Sequence, residues 1–549
     1  MTKYRHSSII LRLAVLSLVG TMQAIAASGD PPIRVARLAQ LAGQISLEPA
    51  ETNQWTQAAI NTPLTTGDRL YVDQSGHAEL QMARMAVRAG RYTDLLVVNL
   101  ANTITQLGLA QGTLHVRTFE LDPSSNVEID TPNGAITVVQ PGDVRIDAYM
   151  ADGGTLVTVK SGEVQITGPK LSQVLGAGQS VHLVGSHPIT VLPQPMPGED
   201  PFDVWSLQRD RAFLSSKSRD YVNAGTIGSE DLDRYGTWTQ TLEYGPVWYP
   251  ANVPAGWTPY SSGRWVWISP WGWTWVDTYA WGFAPFHYGR WTDLGLRWGW
   301  VPGPLGVAPI YSPAMVAFVG GAGFTNDAGA QLSGWFPLGP EEPLYPSYSC
   351  TSRYFTQVNL TNIGNRRRTM NASNYFRYYH TRIGLHSIRY INDKTGTIAV
   401  PLDEFAAGHA VTPATAVHPT AQQWTHAQIL AHPLVAPTVQ SLVPHPVSNS
   451  VPVPAERPTL VTVSQPQTAS ASGASAPNKQ SQPQPNSNGE RSPLIARTPP
   501  PPDSPSFALK QPAHSLDPGR PLDPGQLNNL SQGRPAGAPA TAEFPPHHF

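Results

Sequence analysis

Cysteine is almost absent: Cys350 is the one residue of its kind in 549. An intrachain disulfide and a cysteine-based metal cluster are excluded. The thiol reads as a small packed side chain, with an intermolecular disulfide as the alternative. Charge is scarce as well, at 13% of residues and a formal net charge of −2. So balanced a chain has no long-range pull toward nucleic acid or an anionic membrane, and neither is expected as a partner. Beyond the first residues no 18-residue apolar stretch occurs, so no stable membrane span is expected once the leader is removed. No nucleophile stands beside a base in a recognisable motif, and no carboxylate pair marks a glycosidase. No catalytic residue, metal ligand or cofactor is therefore assigned.

What the chain does hold is 55 prolines, 47 glycines and 16 tryptophans. The length suits two to four domains. The composition suits short strands, many turns and at least one disordered segment. Residues 1–26 read as an export signal. Lys3 and Arg5 give a positive start, an apolar stretch covers 13–20, and Ala24, Ile25 and Ala26 supply a cleavage site. Arg12 interrupts the run and leaves an uncleaved anchor as the alternative. No cysteine follows, which excludes lipoprotein processing. The expected location is periplasmic or extracellular.

Residues 33–190 alternate apolar and polar side chains over short runs. Ile45 and Leu47, Ala78, Leu80 and Met82, Val127 and Ile129, and Val164 and Ile166 are examples. A period of two marks strands with one buried face. Turn signals separate the runs at Gly67-Asp68, Ser75-Gly76, 132–134, 141–143, 152–154 and Ser161-Gly162. The pattern predicts a sandwich or a coiled stack of short strands. The strings LGLAQGTLHV (107–116), DTPN (130–133), VKSGEV (159–164) and LGAGQ (175–179) fall here in order. In them this region resembles the FecR domain, named after a periplasmic ferric-citrate regulator. FecR regulators carry a cytoplasmic sigma-factor-binding segment before a membrane helix, where this chain has an export signal. The resemblance therefore implies a periplasmic β domain and not a complete transmembrane regulator.

After a Pro-rich hinge at 192–198, residues 200–222 read as a linking helix docked on a neighbouring domain. Asp200 is placed to cap it, Pro201 suits its first turn, and Phe202, Trp205 and Arg209 keep helical spacing. A threefold repeat follows within 230–345. Its Gly-x-Trp units are Gly236 with Trp238, Gly263 with Trp265 and Gly289 with Trp291, and a second tryptophan trails each at 248, 275 and 300. Stacked units of this length share a core that none can bury alone. Three hairpins in a row are expected, as a meander or partial barrel.

The tryptophans have two readings. They form the core, or one face of each hairpin stays open as an aromatic strip for sugars or partners. On the second reading the ligand-binding candidates are Trp265, Trp267, Trp273, Trp275, Trp281, Trp291 and His287. His287 also stands near Asp277 and Arg290 in sequence, with a hydrogen-bonded turn histidine as its plainer role. The strings WGFAPFHYGRW (281–291) and Trp335-x-Pro337-Leu338-Gly339-Pro340, with Trp248 and Trp257, resemble an uncharacterised Trp-rich domain. In bacterial envelope proteins that domain often follows a FecR-like one. It has no assigned activity.

Residues 346–410 read as a mixed extension, with strands at 353–359 and 397–401. The basic run of Arg366, Arg367 and Arg368 reads as a solvated loop. Residues 411–549 hold 27 of the 55 prolines and read as a disordered Pro/Ser/Gln-rich tail, a spacer or a bait for partners.

The expected fold is mainly β: a FecR-like β domain, a linking helix, a Trp-rich repeated β-hairpin domain and the tail. The leading functional expectation is an exported, non-enzymatic scaffold or binding module for an envelope protein or a cell-wall or surface glycan. The alternatives are a periplasmic signalling component working with a separate membrane regulator, and an enzyme acting on envelope polysaccharide.

Overall fold

The computed structural model describes residues 29–52, 54–149, 151–295, 297–363, 388–445 and 451–454. The export signal, the arginine run at 366–368 and the tail beyond 454 lie outside the described residues. The chain is mainly β, as its patterning predicts.

Fifteen strands, from Ala36–Ala42 to Thr190–Gln194, make the first sheet system. Their alternation becomes rows of paired apolar side chains. Leu80 faces Val87, Val87 faces Val116, Val116 faces Val144, and Val144 faces Val159. A second row joins Val97, Leu107, Ile129, Ile136 and Ile166. All of these are buried, and cross-strand pairs of this kind are the unit of sheet stability. Most pairings are antiparallel, while Asn126–Thr131 runs parallel to Ile104–Thr118.

Two of the predicted turns do not reverse the chain. Pro141-Gly142-Asp143 lies inside one strand, Gly134–Ala148, and Ser161-Gly162 lies inside Thr155–Gly168. The register between these strands shifts at this point. Each long strand bends there and serves two groups of neighbours. A Cβ on Gly142 would stand 2.0 Å from Ser161 O, so only glycine lets the two backbones cross this closely.

The linking helix is Pro201–Leu214, followed by a 3-10 turn at Lys217–Asp220. Asp200 caps it: its carboxylate accepts from the backbone N–H of Phe202 and Asp203, and Asp203 accepts from the Asp200 N–H.

The repeat proves to be three hairpins, Gly236–Thr241 with Gly245–Pro250, Gly263–Ile268 with Gly272–Asp277, and Arg290–Asp293 with Trp298–Val301. In each, the two repeat tryptophans are direct cross-strand partners: Trp238 with Trp248, Trp265 with Trp275, Trp291 with Trp300. The repeat glycine sits against the second indole of its own unit. A Cβ would meet the Trp248 ring at 2.4 Å on Gly236, the Trp275 ring at 2.5 Å on Gly263, and Trp300 Nε1 at 2.6 Å on Gly289. The Gly-x-Trp spacing thus encodes a ring laid over a bare backbone. Gly263→Ala also brings its methyl 2.5 Å from Val276 O. It is expected to lower stability by about 1–3 kcal/mol, read from the urea midpoint, because a backbone oxygen cannot swing aside.

The hairpins do not form the expected meander. The first and third join through Trp248 and Trp300 into one four-stranded sheet, and the middle hairpin stands apart as a two-stranded ribbon. A further four-stranded sheet takes Val316–Gly320, Leu332–Pro337, Ile398–Pro401 and Gln428–Leu430. Two sequence expectations fail here. Residues 353–359 are not a strand but belong to the helix Ser352–Leu360, capped by Thr351 and burying Tyr354, Phe355 and Val358. Nor does disorder begin at 411. Gln428–Leu430 adds to the sheet edge, and Leu442 and Val443 are buried. The turn Val439–Leu442 packs on the middle hairpin, and Arg264 donates to Pro444 O. Polar composition hid a segment in which Val411, Leu442 and Val443 are buried.

Candidate functional site

The first sheet system, the linking helix and the Trp-rich region meet at a buried charged seam. Glu79 lies on the solvent-coded face of its strand, yet its side chain is 1% exposed, covered by the helix. Arg88 Nε and Arg209 Nη2 each donate to it at 2.7 Å. Burial alone would raise its pKa, but Arg209 and then Arg88 outweigh this and lower it. Arg37, wholly buried, donates to Asp231 at 2.6 Å, to Asn61 and to Ala280 O. One guanidinium so ties the first strand to the Trp-rich region. A cavity of about 20 Å³ between Glu79, Gln81, Arg88, Arg209 and Glu230 has room for about one water.

At the helix start, His115 sits between two carboxylates. Its Nδ1 is 3.1 Å from Asp143 and its Nε2 2.7 Å from Asp203. Burial opposes its charge, but the hydrogen bonds to Asp143 and Asp203 prevail and raise its pKa. Lys160 and Arg145 also donate to Asp203, at 2.7 and 3.0 Å. Against the cost of burial, His115, Lys160 and Arg145 hold Asp203 well below the usual carboxylate range. The helix therefore docks by polar groups, with Asp203, Ser206 and Asp210 buried, beside the rings of Phe202, Trp205 and Phe213, while Val204, Leu207 and Leu214 face solvent. This is the reverse of the ordinary amphipathic arrangement.

The aromatic candidates are placed otherwise than an open strip requires. Trp265, Trp273, Trp275, Trp281 and Trp291 are between 0 and 3% exposed and share one core. A ring buried on both faces has none left to stack on a sugar. Trp267 is partly buried, edge-on to Trp273 at 5.7 Å. Val266, on the opposite face of the hairpin, is buried with Ile268 and Val276. His287 is fully buried, with Nδ1 donating to Ser312 O at 2.8 Å, and desolvation pulls its pKa down to about 3. It is a structural histidine. Asp277 accepts from Trp275 Nε1 at 2.9 Å and the Tyr279 N–H at 2.8 Å, and burial pushes its pKa well up. Arg290 is spent on the carbonyls of Glu342, Gly289 and Asn362. These three, close in sequence, are not brought together as an acid–base set.

The surface holds a cleft that sequence reading missed. Tyr221, Tyr244, Pro246, Pro302, Gly303 and Leu305 line a space of about 90 Å³, with the exposed Asp220 at its rim. Tyr221 is stacked on Trp238 at 4.6 Å, and Trp238 donates to Ser218 Oγ, which fixes that wall. The elements come from residues 220–221, the first hairpin's turn and the chain after the third hairpin. No local pattern announces such a meeting.

The three hairpins with paired tryptophans define a unit that can be compared with known families. Residues 229–342 match DUF6600, a family of unknown function. The DUF6600 segment thus spans all three hairpins and ends just after Leu332–Pro337. No curated protein matches the chain. Two crystal structures of a putative anti-sigma factor from Parabacteroides distasonis are distantly similar. The 1.65 Å structure is 15% identical, with a TM-score of 0.22, covering 27% of this chain and 64% of that one. The 2.50 Å structure is 18% identical, with a TM-score of 0.21, covering 30% and 73%. So distant a likeness transfers no function.

The seam predicts a pH dependence. Glu230 is raised to about 7 by burial and by Asp231, and Asp68 to about 8 by burial and by Glu51. Folded values above the unfolded ones give stability that is full below about pH 4, is lost progressively as pH rises, and is gone once pH passes the folded values of about 7 and about 8. His115 acts in the same direction, its contribution present below about 6.5 and lost above its raised pKa. Asp203, Asp143 and Glu79 act oppositely: depressed values give stability present above about 4.5 and lost as acid protonates them. The urea midpoint is expected to peak near about pH 4.5 and to fall from there toward about pH 8. In Glu230→Gln the decline from about pH 5 to 7 should be shallower; an unchanged slope would clear Glu230 of that role.

Proposed function

We propose that the chain is an exported, non-enzymatic envelope scaffold, whose FecR-like and DUF6600 regions are held together to present binding surfaces to an envelope protein or a cell-wall glycan. The observation carrying this reading is the buried seam. Arg37–Asp231 ties the first strand to the Trp-rich region, and Arg209–Glu79 ties the linking helix to the first sheet system, through largely buried groups. The strongly shifted titratable groups described above are committed to this seam or to the core, which supports a structural role for them. The test is co-sedimentation of the full chain with purified sacculi, beside crosslinking in intact cells. Recovery with sacculi or with a specific envelope partner is expected, and a chain found free in both experiments overturns the reading.

A signalling role is the second reading. It is favoured by the FecR-like strings, which fall on strands of the one first sheet system, Ile104–Thr118, Asn126–Thr131 and Thr155–Gly168 among them. Deletion would then change a sigma-factor regulon, and unchanged regulons would remove this alternative.

A further inference from the structure

We propose that the tyrosine–proline cleft is a docking site for this chain's own proline run, residues 497–502, so that the cleft is filled in cis until a competing partner displaces the run. The inference stands on the cleft and the sequence and does not depend on the scaffold reading.

The cleft has the lining that polyproline segments use. Tyr221 and Tyr244 stand with Pro246 and Pro302, and the Tyr221 ring is braced from behind by Trp238. A polyproline helix is already stiff, so seating it in an aromatic-lined groove costs little ordering entropy. The chain carries one run of four prolines, Pro499 to Pro502, preceded by Arg497. Asp220 at the cleft rim is exposed and of opposite charge to Arg497. Reach is not limiting. Forty-four residues lie between Pro454, the last described position, and Pro499. A stretch of that length reaches, at full extension, on the order of 140 Å. Tethering then raises the local concentration of a ligand whose intrinsic affinity is weak.

The experiment uses full-length protein and a labelled synthetic peptide of residues 494–506, read by fluorescence polarisation. In the variant P499S/P500S/P501S/P502S the cleft is vacated without touching the described structure. This variant is expected to bind the peptide at least about tenfold more tightly than wild type, whose cleft is already occupied. Asp220→Lys in the same background should weaken binding, and a peptide carrying Arg497→Glu should restore it. That charge swap tests the cleft without disturbing the Tyr221–Trp238 stack, which Tyr221→Ala would put at risk. No saturable binding to the proline-free variant, equal binding by wild type and variant, or indifference to Asp220→Lys would each overturn the proposal. Saturable binding of chitotetraose in place of the peptide would likewise overturn it, by giving the cleft to glycan.

Discussion

Trp275→Ala is expected to destabilise the Trp-rich region by about 3–5 kcal/mol, the range for deleting a large buried aromatic. Trp275 is fully buried. Its ring meets Trp265 edge-on at 5.5 Å and Tyr260 at 5.7 Å, and it lies over the bare backbone of Gly263. Truncation empties the centre of the middle hairpin and frees Asp277 of its indole donor, an added loss of about 1–3 kcal/mol for the buried carboxyl. Trp275→Phe would keep much of the packing and lose only the N–H, so it should fall between. Trp267→Ala, at a partly buried site, should cost less than half as much. The measurement is urea unfolding followed by near-ultraviolet circular dichroism, which reports the packed indoles. Equal costs for Trp275→Ala and Trp267→Ala would mean that burial does not decide the roles of these rings.

Glu79→Gln is expected to cost about 3–5 kcal/mol, because breaking a buried pair strands its cationic partners. Arg209 keeps only the more distant Glu230, at 3.9 Å, and Arg88 keeps only Asp210, at 2.7 Å. The effect should persist at high salt, since charges this deeply buried are poorly screened. It should also be local: the linking helix loosens from its sheet before either β region unfolds. Limited proteolysis at the hinge before Asp200 would show this as faster cleavage, with the two β regions recovered intact. An unchanged cleavage rate would mean that Asp203 and its partners His115, Lys160 and Arg145 hold the helix without Glu79.

The contrast between Glu79 and Leu80 shows where sequence reading stops. Alternation separates the two faces of His77–Met82 correctly, and Leu80 enters the core. Alternation does not reveal that a helix 130 residues later covers the polar face and supplies Arg209. The same limit applies to Val266 and to the middle hairpin, both of whose faces are covered. A period of two says which residues point together; what lies above each face depends on segments remote in the chain.

The sequence by itself determined the β character, the Asp200 helix start, the three hairpins and their tryptophan pairing. Each of these follows from rules that act within about thirty residues: alternation, capping, and a glycine that lets a ring lie on the backbone. Only the tertiary structure decided that the first and third hairpins join while the middle one stands apart, and that residues 411–445 complete a sheet and cover a hairpin. It alone decided that the tryptophans are core and that a charged seam fastens the β regions. The cleft, too, is a tertiary product. The physical reason is common to all of these: burial is settled by contacts between segments far apart in sequence, and no local pattern records which distant partner will arrive.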